Sequence, residues 1–215
     1  MLTVLTLTYQ RHHLLEEALQ SFLLQDIRDC EMIILNDSPD VEYVFNHPKV
    51  RIINLKERFK TIGEKLEYGL LLGGEHIYRL DDDDLLAKGA LSKTKRAIKE
   101  FPSFDIYHPE SAYYLNSNVF QGMMNNINTG NTYSKKFIKR VGVPKISVSE
   151  DLELTFKSGG EIYITPNPTM IYRWGMGTYH ISATGVNEIK KETGKIYLNP
   201  HFKNNYYEIC MCTTC

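Results

Sequence analysis

Short apolar segments that alternate with amphipathic helical patterns constrain the fold of this chain more than any other feature of its sequence. Four segments have the composition of buried strands: residues 3–8, 31–36, 50–55 and 76–80. Three segments place apolar side chains at helical spacing: residues 12–25, 62–72 and 86–100. This alternation is typical of a mostly parallel sheet with helices on both faces. The sequence therefore predicts an α/β fold.

The second half of the chain is less regular but predicts elements of the same kinds. Strand-like runs occupy residues 104–116 and 162–173, and short helical patterns occupy residues 134–141 and 150–158. A length of 215 residues, of which 42% are hydrophobic, fits one globular domain with a substantial core.

Polar side chains follow three of the predicted strands at the point where each strand ends. The three sets are Thr8-Tyr9-Gln10-Arg11, Asn36-Asp37-Ser38 and Asp81-Asp82-Asp83-Asp84. The carboxyl ends of parallel strands meet at one edge of a sheet, and open α/β sheets bind their ligands there. We therefore expect these segments, although distant in sequence, to form one site.

The four consecutive aspartates are the most informative part of this expected site. Like charges at such short range raise one another's pKa, so the cluster needs a compensating charge. Mg²⁺ and Mn²⁺ prefer carboxylate oxygens and often complete their coordination with substrate phosphates. If residues 80–84 are extended, Asp81 and Asp83 point one way and Asp82 and Asp84 the other, and one carboxylate can cap the next helix. The alternative is a solvated acidic turn that only caps this helix.

The glycine pattern excludes several nucleotide-binding folds. The first glycine is Gly63, whereas a dinucleotide-binding fold needs glycines in the turn after its first strand, here Tyr9-Gln10-Arg11-His12. The chain also has no P-loop and no Gly-x-Ser-x-Gly motif. A bound diphosphate would need another source of positive charge, and a divalent cation held by carboxylates is the clearest candidate.

Two later segments add candidate catalytic and metal-binding groups. Glu150-Asp151 follows Ser149 at the start of a predicted helix, so these residues either cap the helix or supply a carboxylate that accepts a hydroxyl proton. His180 lies in a segment with two glycines and aromatic side chains, and imidazole is a suitable ligand for Mn²⁺. The alternative for a single histidine is a structural role.

Composition argues against a nucleic acid partner and against electrostatic attraction to a membrane, and leaves membrane contact through a partner or acceptor open. The formal net charge is −1 and the pI is about 6.7, so no strong field attracts the chain to nucleic acid or to an anionic membrane. The sequence shows no secretory signal and no apolar run long enough to span a bilayer. We therefore expect a soluble, cytoplasmic protein without a transmembrane segment.

The motifs at the strand ends resemble those of the inverting family 2 glycosyltransferases, which have the GT-A fold. Thr8-Tyr9-Gln10-Arg11 is similar to their Thr-Tyr-Asn-Arg motif. The segment from Ile33 to Ser38 resembles their Val-Val-Asp-Asp-Gly-Ser, and the segment from Leu80 to Asp84 resembles their Leu-Asp-x-Asp-Asp.

Three further segments extend this resemblance from residue 3 to about residue 182. Ile62-Gly63-Glu64-Lys65 resembles the segment that helps to hold the nucleotide, and Glu150-Asp151 resembles the Glu-Asp motif. Tyr172-Arg173, followed by His180 and Ser182, is similar to the late Tyr-Arg-x-His region. The order and spacing of the motifs make a stronger signal than any one of them.

The resemblance implies a Rossmann-like GT-A fold and transfer, with inversion, of a hexose or deoxyhexose from a UDP-sugar to a hydroxyl group of a glycan. UDP-glucose is the expected donor, rhamnose is the alternative sugar, and Mn²⁺ or Mg²⁺ is the expected cofactor. The implied residues for nucleotide-sugar binding are Thr8, Tyr9, Arg11, Asp37, Lys65, Asp81 and Asp82, with Asp37 on the uracil edge. The implied metal ligands are Asp81, Asp83 and His180, and Asp151 is the implied base. The candidate contacts to the acceptor are Asn131, Glu150 and Trp174.

We expect residues 1–205 to form a single domain, with a nucleotide-binding half at about 1–100 and an acceptor-binding half at about 101–205. Residues 206–215 contain Cys210, Cys212 and Cys215 and are predicted to be a tail or linker, with a partial zinc site as the alternative. The compact length and this cysteine-rich end also resemble the amino-terminal transferase domain of a larger algal (chlorella) virus protein, which would place the chain in the host cytoplasm.

Two other functions are compatible with these residues. Asp81-x-Asp83 after a strand also resembles phosphatases that form an aspartyl-phosphate, which would release phosphate from small monoesters without a nucleotide. A non-catalytic module would bind a nucleotide sugar or a carbohydrate without turning it over.

Overall fold

A computed structural model describes residues 1–125, 127, 129–175 and 191–203. The strands are β1 (Leu2–Thr8), β2 (Cys30–Asn36), β3 (Val41–Val44), β4 (Val50–Asn54), β5 (His76–Arg79), β6 (Leu85–Leu86), β7 (Ile106–Pro109), β8 (Ser111–Asn116), β9 (Val119–Asn125), β10 (Thr132–Ser134), β11 (Ile162–Thr165), β12 (Met170–Trp174) and β13 (Gly194–Tyr197). The helices are α1 (His12–Leu23), α2 (Ile62–Leu72), α3 (Ala90–Glu100), α4 (Lys135–Val141) and α5 (Glu150–Lys157).

The main sheet has seven strands in the order β11-β7-β10-β5-β1-β2-β4. β1 lies in its interior and pairs in parallel with both β2 and β5, and only β10 runs antiparallel to its neighbours. The predicted mostly parallel α/β sheet is therefore confirmed. A second sheet has the order β6-β12-β8-β9, and β13 pairs in parallel with β3.

Helices cover both faces of the main sheet because side chains alternate along its buried strands. In β1, Val4 belongs to the apolar cluster that packs on α1 and α3, whereas Leu5 belongs to the cluster that packs on α2, α4 and α5. Both side chains are fully buried. Strands that are buried on both faces are rich in apolar side chains, and in β2 these form the continuous run Met-Ile-Ile-Leu.

The third predicted helix begins later than its periodicity indicated. Leu85 and Leu86 are fully buried and form β6, which pairs antiparallel with β12. Gly89 adopts a left-handed conformation with φ of 67°, and α3 starts at Ala90. The apolar run before Gly89 fits a helical and an extended pattern equally, so its period alone could not place the start of the helix.

Helix α1 anchors distant parts of the chain through two acidic side chains that are buried on its inner face. Glu17 Oε2 lies 2.5 Å from Nη1 of Arg173, and Glu17 Oε1 accepts a hydrogen bond of 3.0 Å from the backbone N–H of Lys203. Glu16 accepts a hydrogen bond of 2.8 Å from the backbone N–H of Asn199. The helix therefore ties β12 and the segment 191–203 to the end of β1.

Among the residues that the structure describes, no helix has the length and the apolar character that crossing a bilayer requires.

We predict that Glu17→Ala destabilises the fold strongly. The change leaves the guanidinium of Arg173, whose side chain is fully buried, without this carboxylate, and breaking a buried pair in this way costs about 3–5 kcal/mol. Urea denaturation followed by circular dichroism measures the free energy of unfolding. Asp29→Ala removes an exposed ion pair with Lys95 and should leave the midpoint nearly unchanged. Equal midpoints for the two variants would contradict the anchoring role of Glu17.

Candidate active site

A cavity of about 530 Å³ opens at the carboxyl ends of β1, β2 and β5. Its wall is formed by Leu7, Thr8, Tyr9, Arg11, Asp37, Arg58, Phe59, Lys60, Thr61, Ile62, Lys65, Arg79, Asp81, Asp82, Asp83, Ser147 and Val148. The structure thus brings together side chains from all three polar sets that follow the predicted strands. The volume lies within the range of about 300–1,000 Å³ that small-molecule sites occupy.

The four aspartates form a turn rather than the extended segment that we expected. The backbone N–H of Asp84 donates to the carbonyl of Asp81 at 3.1 Å, and one carboxylate oxygen each of Asp81, Asp83 and Asp84 lies within 4.8 Å of the others. Asp82 points elsewhere and pairs with Arg11. The expected alternation of the four side chains is therefore wrong, because the turn places three of them on one side.

The aspartates do not cap the helix that follows them. Helix α3 begins at Ala90, several residues later, and Asp84 Oδ1 instead accepts a hydrogen bond of 2.9 Å from the backbone N–H of Arg173 in β12. We expected this helix to be capped either by one of the carboxylates or by the acidic turn as a whole, and both expectations are wrong. The acidic turn is also mostly buried, since Asp82, Asp83 and Asp84 are at most 4% exposed.

Arginines from three different elements surround the acidic turn. Arg11 pairs with Asp82 and lies 3.0 Å from Asp83 Oδ2 through its Nη1 atom. Arg79 Nε lies 3.0 Å from Asp81 Oδ1. The guanidinium of Arg173 donates through Nε to the backbone carbonyl of Asp83.

These arginines do not fully balance the acidic groups around them. Arg79 also pairs with Glu150, and Arg173 also pairs with Glu17. Counted over the described residues alone, six ionised carboxylates lie around three guanidinium groups, a formal excess of three negative charges. A divalent cation would remove most of this excess.

The chemistry of the acidic turn fits a hard divalent cation. Asp81, Asp83 and Asp84 offer carboxylate oxygens, which Mg²⁺ and Mn²⁺ prefer. Oδ2 of Asp84 is buried and has no hydrogen-bond partner among the described residues, and burial raises the pKa of Asp84 well above its ordinary value. Burial also raises the pKa of Asp82 to about 6, although Arg11 opposes this shift. A nearby cation stabilises the ionised form of a buried carboxylate.

A second charged group lies at the ends of β1 and β2. Lys65 Nζ lies 2.5 Å from Asp37 Oδ1 and donates to the carbonyl of Thr8 at 2.7 Å. Asp37 Oδ2 accepts a hydrogen bond of 3.1 Å from the backbone N–H of Phe59. Burial lowers the pKa of Lys65, and the adjacent Asp37 opposes that shift. The pair therefore holds β1, β2 and α2 in a fixed arrangement at the cavity wall.

An aromatic ring and a guanidinium group stack beside this pair. The guanidinium carbon of Arg58 lies 4.1 Å from the centre of the Tyr9 ring, and both residues line the cavity. Such a cation–π contact presents a flat surface that can take a planar base or an anionic group. Arg58 lies in the loop before α2, and no periodicity or motif in the sequence singles it out.

Gly63 lets the loop before α5 pack against the start of α2. Its backbone N–H donates to the carbonyl of Ile146 at 2.8 Å, and a Cβ at this position would lie 1.8 Å from the carbonyl oxygen of Pro144. Any other side chain would force the loop away. Because Ser147 and Val148 of this loop line the cavity, the glycine determines the position of that wall.

The Glu-Asp pair at the start of α5 divides into two environments. Glu150 is buried, and its Oε1 atom lies 2.9 Å from Nη2 of Arg79. Burial raises the pKa of Asp151, and Arg79 opposes that shift. Ser149 has a left-handed φ of 62° and its side chain makes no capping hydrogen bond, so the alternative in which Ser149 caps this helix is wrong. Asp151 Oδ1 accepts only a local hydrogen bond of 2.8 Å, from the N–H of Leu152.

The remaining predicted residues lie outside the cavity wall or outside the described residues. Asn131 is buried and its backbone carbonyl accepts a hydrogen bond of 2.8 Å from the N–H of Arg79. Trp174 is half-buried at the end of β12, where its carbonyl accepts a hydrogen bond of 2.8 Å from Ser117. His180, Ser182 and the three late cysteines at positions 210, 212 and 215 fall outside the described residues.

Sequence reasoning missed two residues that the geometry makes important. Asp84 was recognised in the acidic run but not as a metal ligand, because an extended segment would have turned it away from Asp81 and Asp83. Arg79 was not recognised at all. The feature that could have identified Arg79 is a basic residue at the last position of the buried strand His-Ile-Tyr-Arg, two residues before the first aspartate.

The mostly parallel sheet and the acidic turn at the exit of β5 define a GT-A glycosyltransferase architecture. The sequence model of the family "Glycosyl transferase family 2" matches residues 3–151, which is more than half of the chain. The chain therefore belongs to glycosyltransferase family 2. No curated protein sequence matches the chain.

Solved structures with the same fold include bacterial and archaeal proteins. TarS of S. aureus (residues 1–349) in complex with UDP-GlcNAc is 17% identical with a TM-score of 0.68, and the match covers 86% of this chain and 61% of that one. The mannosyltransferase PcManGT of Pyrobaculum calidifontis, in complex with GDP-Man and Mn²⁺, is 16% identical with a TM-score of 0.59 and coverages of 80% and 56%. The chain thus spans about 60% of these structures. Neither organism is a virus, so the resemblance to an algal-virus protein has no support here.

We predict that Asp84→Asn weakens the binding of Mn²⁺ in the presence of UDP. Asparagine keeps an oxygen for the N–H of Arg173 but removes the charge of the buried, unpartnered oxygen. The affinity should fall at least about tenfold, since losing even an outer-shell partner of a metal ligand has that effect. Electron paramagnetic resonance of free Mn²⁺ measures the affinity, and Asp29→Asn on the exposed surface is the control. An unchanged affinity would remove Asp84 from the metal site.

Proposed function

We propose that this chain is a metal-dependent, inverting glycosyltransferase that moves a hexose or deoxyhexose from a UDP-sugar to a hydroxyl group of a glycan. The observation that carries the proposal is the convergence of three carboxylate oxygens, from Asp81, Asp83 and Asp84, beside a cavity large enough for a nucleotide sugar. UDP-glucose is the first candidate donor and a rhamnose donor the second. The UDP-GlcNAc and GDP-Man that similar structures hold add two more candidates.

The cavity offers a separate group for each part of a uridine nucleotide. Asp37 keeps free lone pairs on both carboxylate oxygens and can accept the N3–H of uracil, because an ionised carboxylate has about four acceptor positions. The ring of Tyr9, backed by Arg58, offers a flat surface for the base. Lys65, which pairs with Asp37, and Thr8, which precedes Tyr9, complete the nucleotide end of the cavity.

The diphosphate belongs at the acidic turn in this proposal. A divalent cation held by Asp81, Asp83 and Asp84 would neutralise the charge that develops on the departing diphosphate. Arg11 lines the same part of the cavity and adds a permanent positive charge, while its contacts with Asp82 and Asp83 keep its side chain in place. Fixed charges of this kind stabilise a transition state without reorganisation. His180 stays a predicted additional ligand.

Asp151 is the proposed general base. A single displacement needs one group that takes the proton from the acceptor hydroxyl as the new glycosidic bond forms, and the raised pKa of Asp151 makes it a better proton acceptor than an ordinary aspartate. Its neighbour Glu150 is held by Arg79, so Asp151 is the freer carboxylate of the pair. Asn131, Glu150 and Trp174 stay predicted contributors to the acceptor side.

The phosphatase alternative fits the geometry less well. Asp81 would be the attacking carboxylate, but its Oδ1 atom accepts from Arg79 at 3.0 Å and its Oδ2 atom accepts from the hydroxyl of Thr129 at 3.3 Å. Membership of the glycosyltransferase family also favours sugar transfer over phosphate release. The non-catalytic alternative is an outcome of the following experiment.

We expect one member of a nucleotide-sugar panel to be hydrolysed slowly, and to stabilise the protein against heat, only when Mn²⁺ is present. The panel contains UDP-glucose, UDP-GlcNAc, GDP-Man and a nucleotide rhamnose donor, and each is assayed for nucleotide release and thermal shift. Asp151→Asn should retain the thermal shift but lose turnover by about 10²- to 10⁴-fold, the usual contribution of a general base. Equal stabilisation with a chelator would contradict the metal site, and binding without turnover of any donor would favour the non-catalytic module.

The pH dependence provides an independent test of Asp151. A protonated carboxylate cannot accept a proton, so kcat/KM should fall as the pH drops through the pKa of Asp151, which burial raises above the ordinary aspartate value of about 3.9. Arg79 lowers this pKa, whereas Glu150 and Asp81 raise it. The profile is measured at saturating Mn²⁺, because burial also raises the pKa of Asp82, to about 6. An acidic limb that persists unchanged in the residual activity of Asp151→Asn would assign the limb to another group.

A further inference from the structure

We propose that Arg79 is a positioning residue for sugar transfer, which fixes the helix that carries the base relative to the acidic turn that binds the donor. This inference rests on the proposed function, because it needs Asp151 as the base. It concerns a residue outside all the motifs that resemble the family. The observation behind it is that one guanidinium group bridges Asp81 and Glu150 across two parts of the site.

The contacts of Arg79 connect elements that lie far apart in sequence. Its Nε atom lies 3.0 Å from Asp81 Oδ1, directly after β5, and its Nη2 atom lies 2.9 Å from Glu150 Oε1 at the start of α5. Its backbone N–H donates to the carbonyl of Asn131 at 2.8 Å. The side chain is only 8% exposed, so these contacts leave it little freedom to move.

The planar fork of an arginine explains why this residue type occupies the position. A guanidinium group presents donors in fixed directions and can hold two carboxylates at a set distance, whereas a lysine ammonium is a flexible point charge. Glu150 is followed immediately by Asp151, so fixing Glu150 also fixes the backbone that carries the base. Because Arg79 also contacts Asp81, it fixes the distance between the base and the acidic turn at which the donor would bind.

Stability alone is a poor explanation for Arg79. Its Nη1 atom is buried and has no hydrogen-bond partner among the described residues, and an unsatisfied buried donor lowers stability. A buried ion pair can often be replaced by apolar side chains of similar volume with no loss of stability. The charged bridge is therefore better explained by the geometry that it imposes on the site.

The two roles are separated by comparing Arg79→Met with the double variant Arg79→Met/Glu150→Met. The single variant leaves Glu150 buried without its partner and should lower the thermal midpoint. The double variant removes both charges and should recover most of the midpoint, but its kcat should stay reduced by on the order of 10²-fold, since a misplacement of about 1 Å has that effect. The dissociation constant for UDP, measured with Mn²⁺ by calorimetry, should change much less than kcat.

Arg140→Met is the matched control. Arg140 pairs with Asp105, which is also buried, but it does not line the cavity, so this change should leave kcat at the wild-type value. Recovery of both midpoint and kcat in the double variant would show that Arg79 is only structural and would overturn the inference. A fall in UDP affinity as large as the fall in kcat would assign Arg79 to donor binding and would also overturn it.

The failure of this inference can be told apart from failure of the proposed function. If the wild-type protein transfers sugar and Asp151→Asn does not, but the double variant is as fast as wild type, only the role of Arg79 is wrong. If the wild-type protein binds UDP and transfers no sugar from any donor, the proposed function is wrong and the role of Arg79 is overturned with it.

Discussion

Charge compensation around the acidic turn is the interaction on which the rest of the site depends. The turn from Asp81 to Asp84 is mostly buried at the centre of the sheet edge, where uncompensated carboxylates would be strongly unfavourable. Arg11 comes from the end of β1, Arg79 from the end of β5, and Arg173 from β12. Each of the three therefore joins a different part of the fold to the same few residues.

Within the part of the chain that the structure describes, this compensation is incomplete. The arginines are shared with other carboxylates, and one oxygen of Asp84 has no partner among the residues that the structure describes. A cation is therefore favoured where the turn faces the cavity, while the arginines hold the turn rigid. Charges that are already held in place stabilise the charge that develops in a transition state, because they need not reorganise as mobile groups would. In the proposed mechanism, binding of the donor and positioning of the base both depend on this turn, through Arg79.

Much of the architecture could be predicted from the sequence because the central strands are buried on both faces. β2 contains a continuous apolar run, and β1 and β5 place buried apolar side chains between polar ones. Their polar exits are expected to meet because parallel sheets bind ligands at the carboxyl ends of their strands. The short strand β10 was missed because it has only three residues, too few for a period to show. The pairs that organise the site were also beyond reach, since Arg11 and Asp82 are 71 residues apart and Glu17 and Arg173 are 156 apart.

The central claim is that Asp81, Asp83 and Asp84 hold a divalent cation that in turn holds the diphosphate of the donor. A crystal soaked with Mn²⁺ and UDP, with anomalous scattering data collected to locate the manganese, tests this most directly. The account predicts one strong anomalous peak within bonding distance of these carboxylates and of the UDP phosphates. Ordered UDP in the cavity with manganese absent from the acidic turn, or bound at some other cluster, would contradict the account.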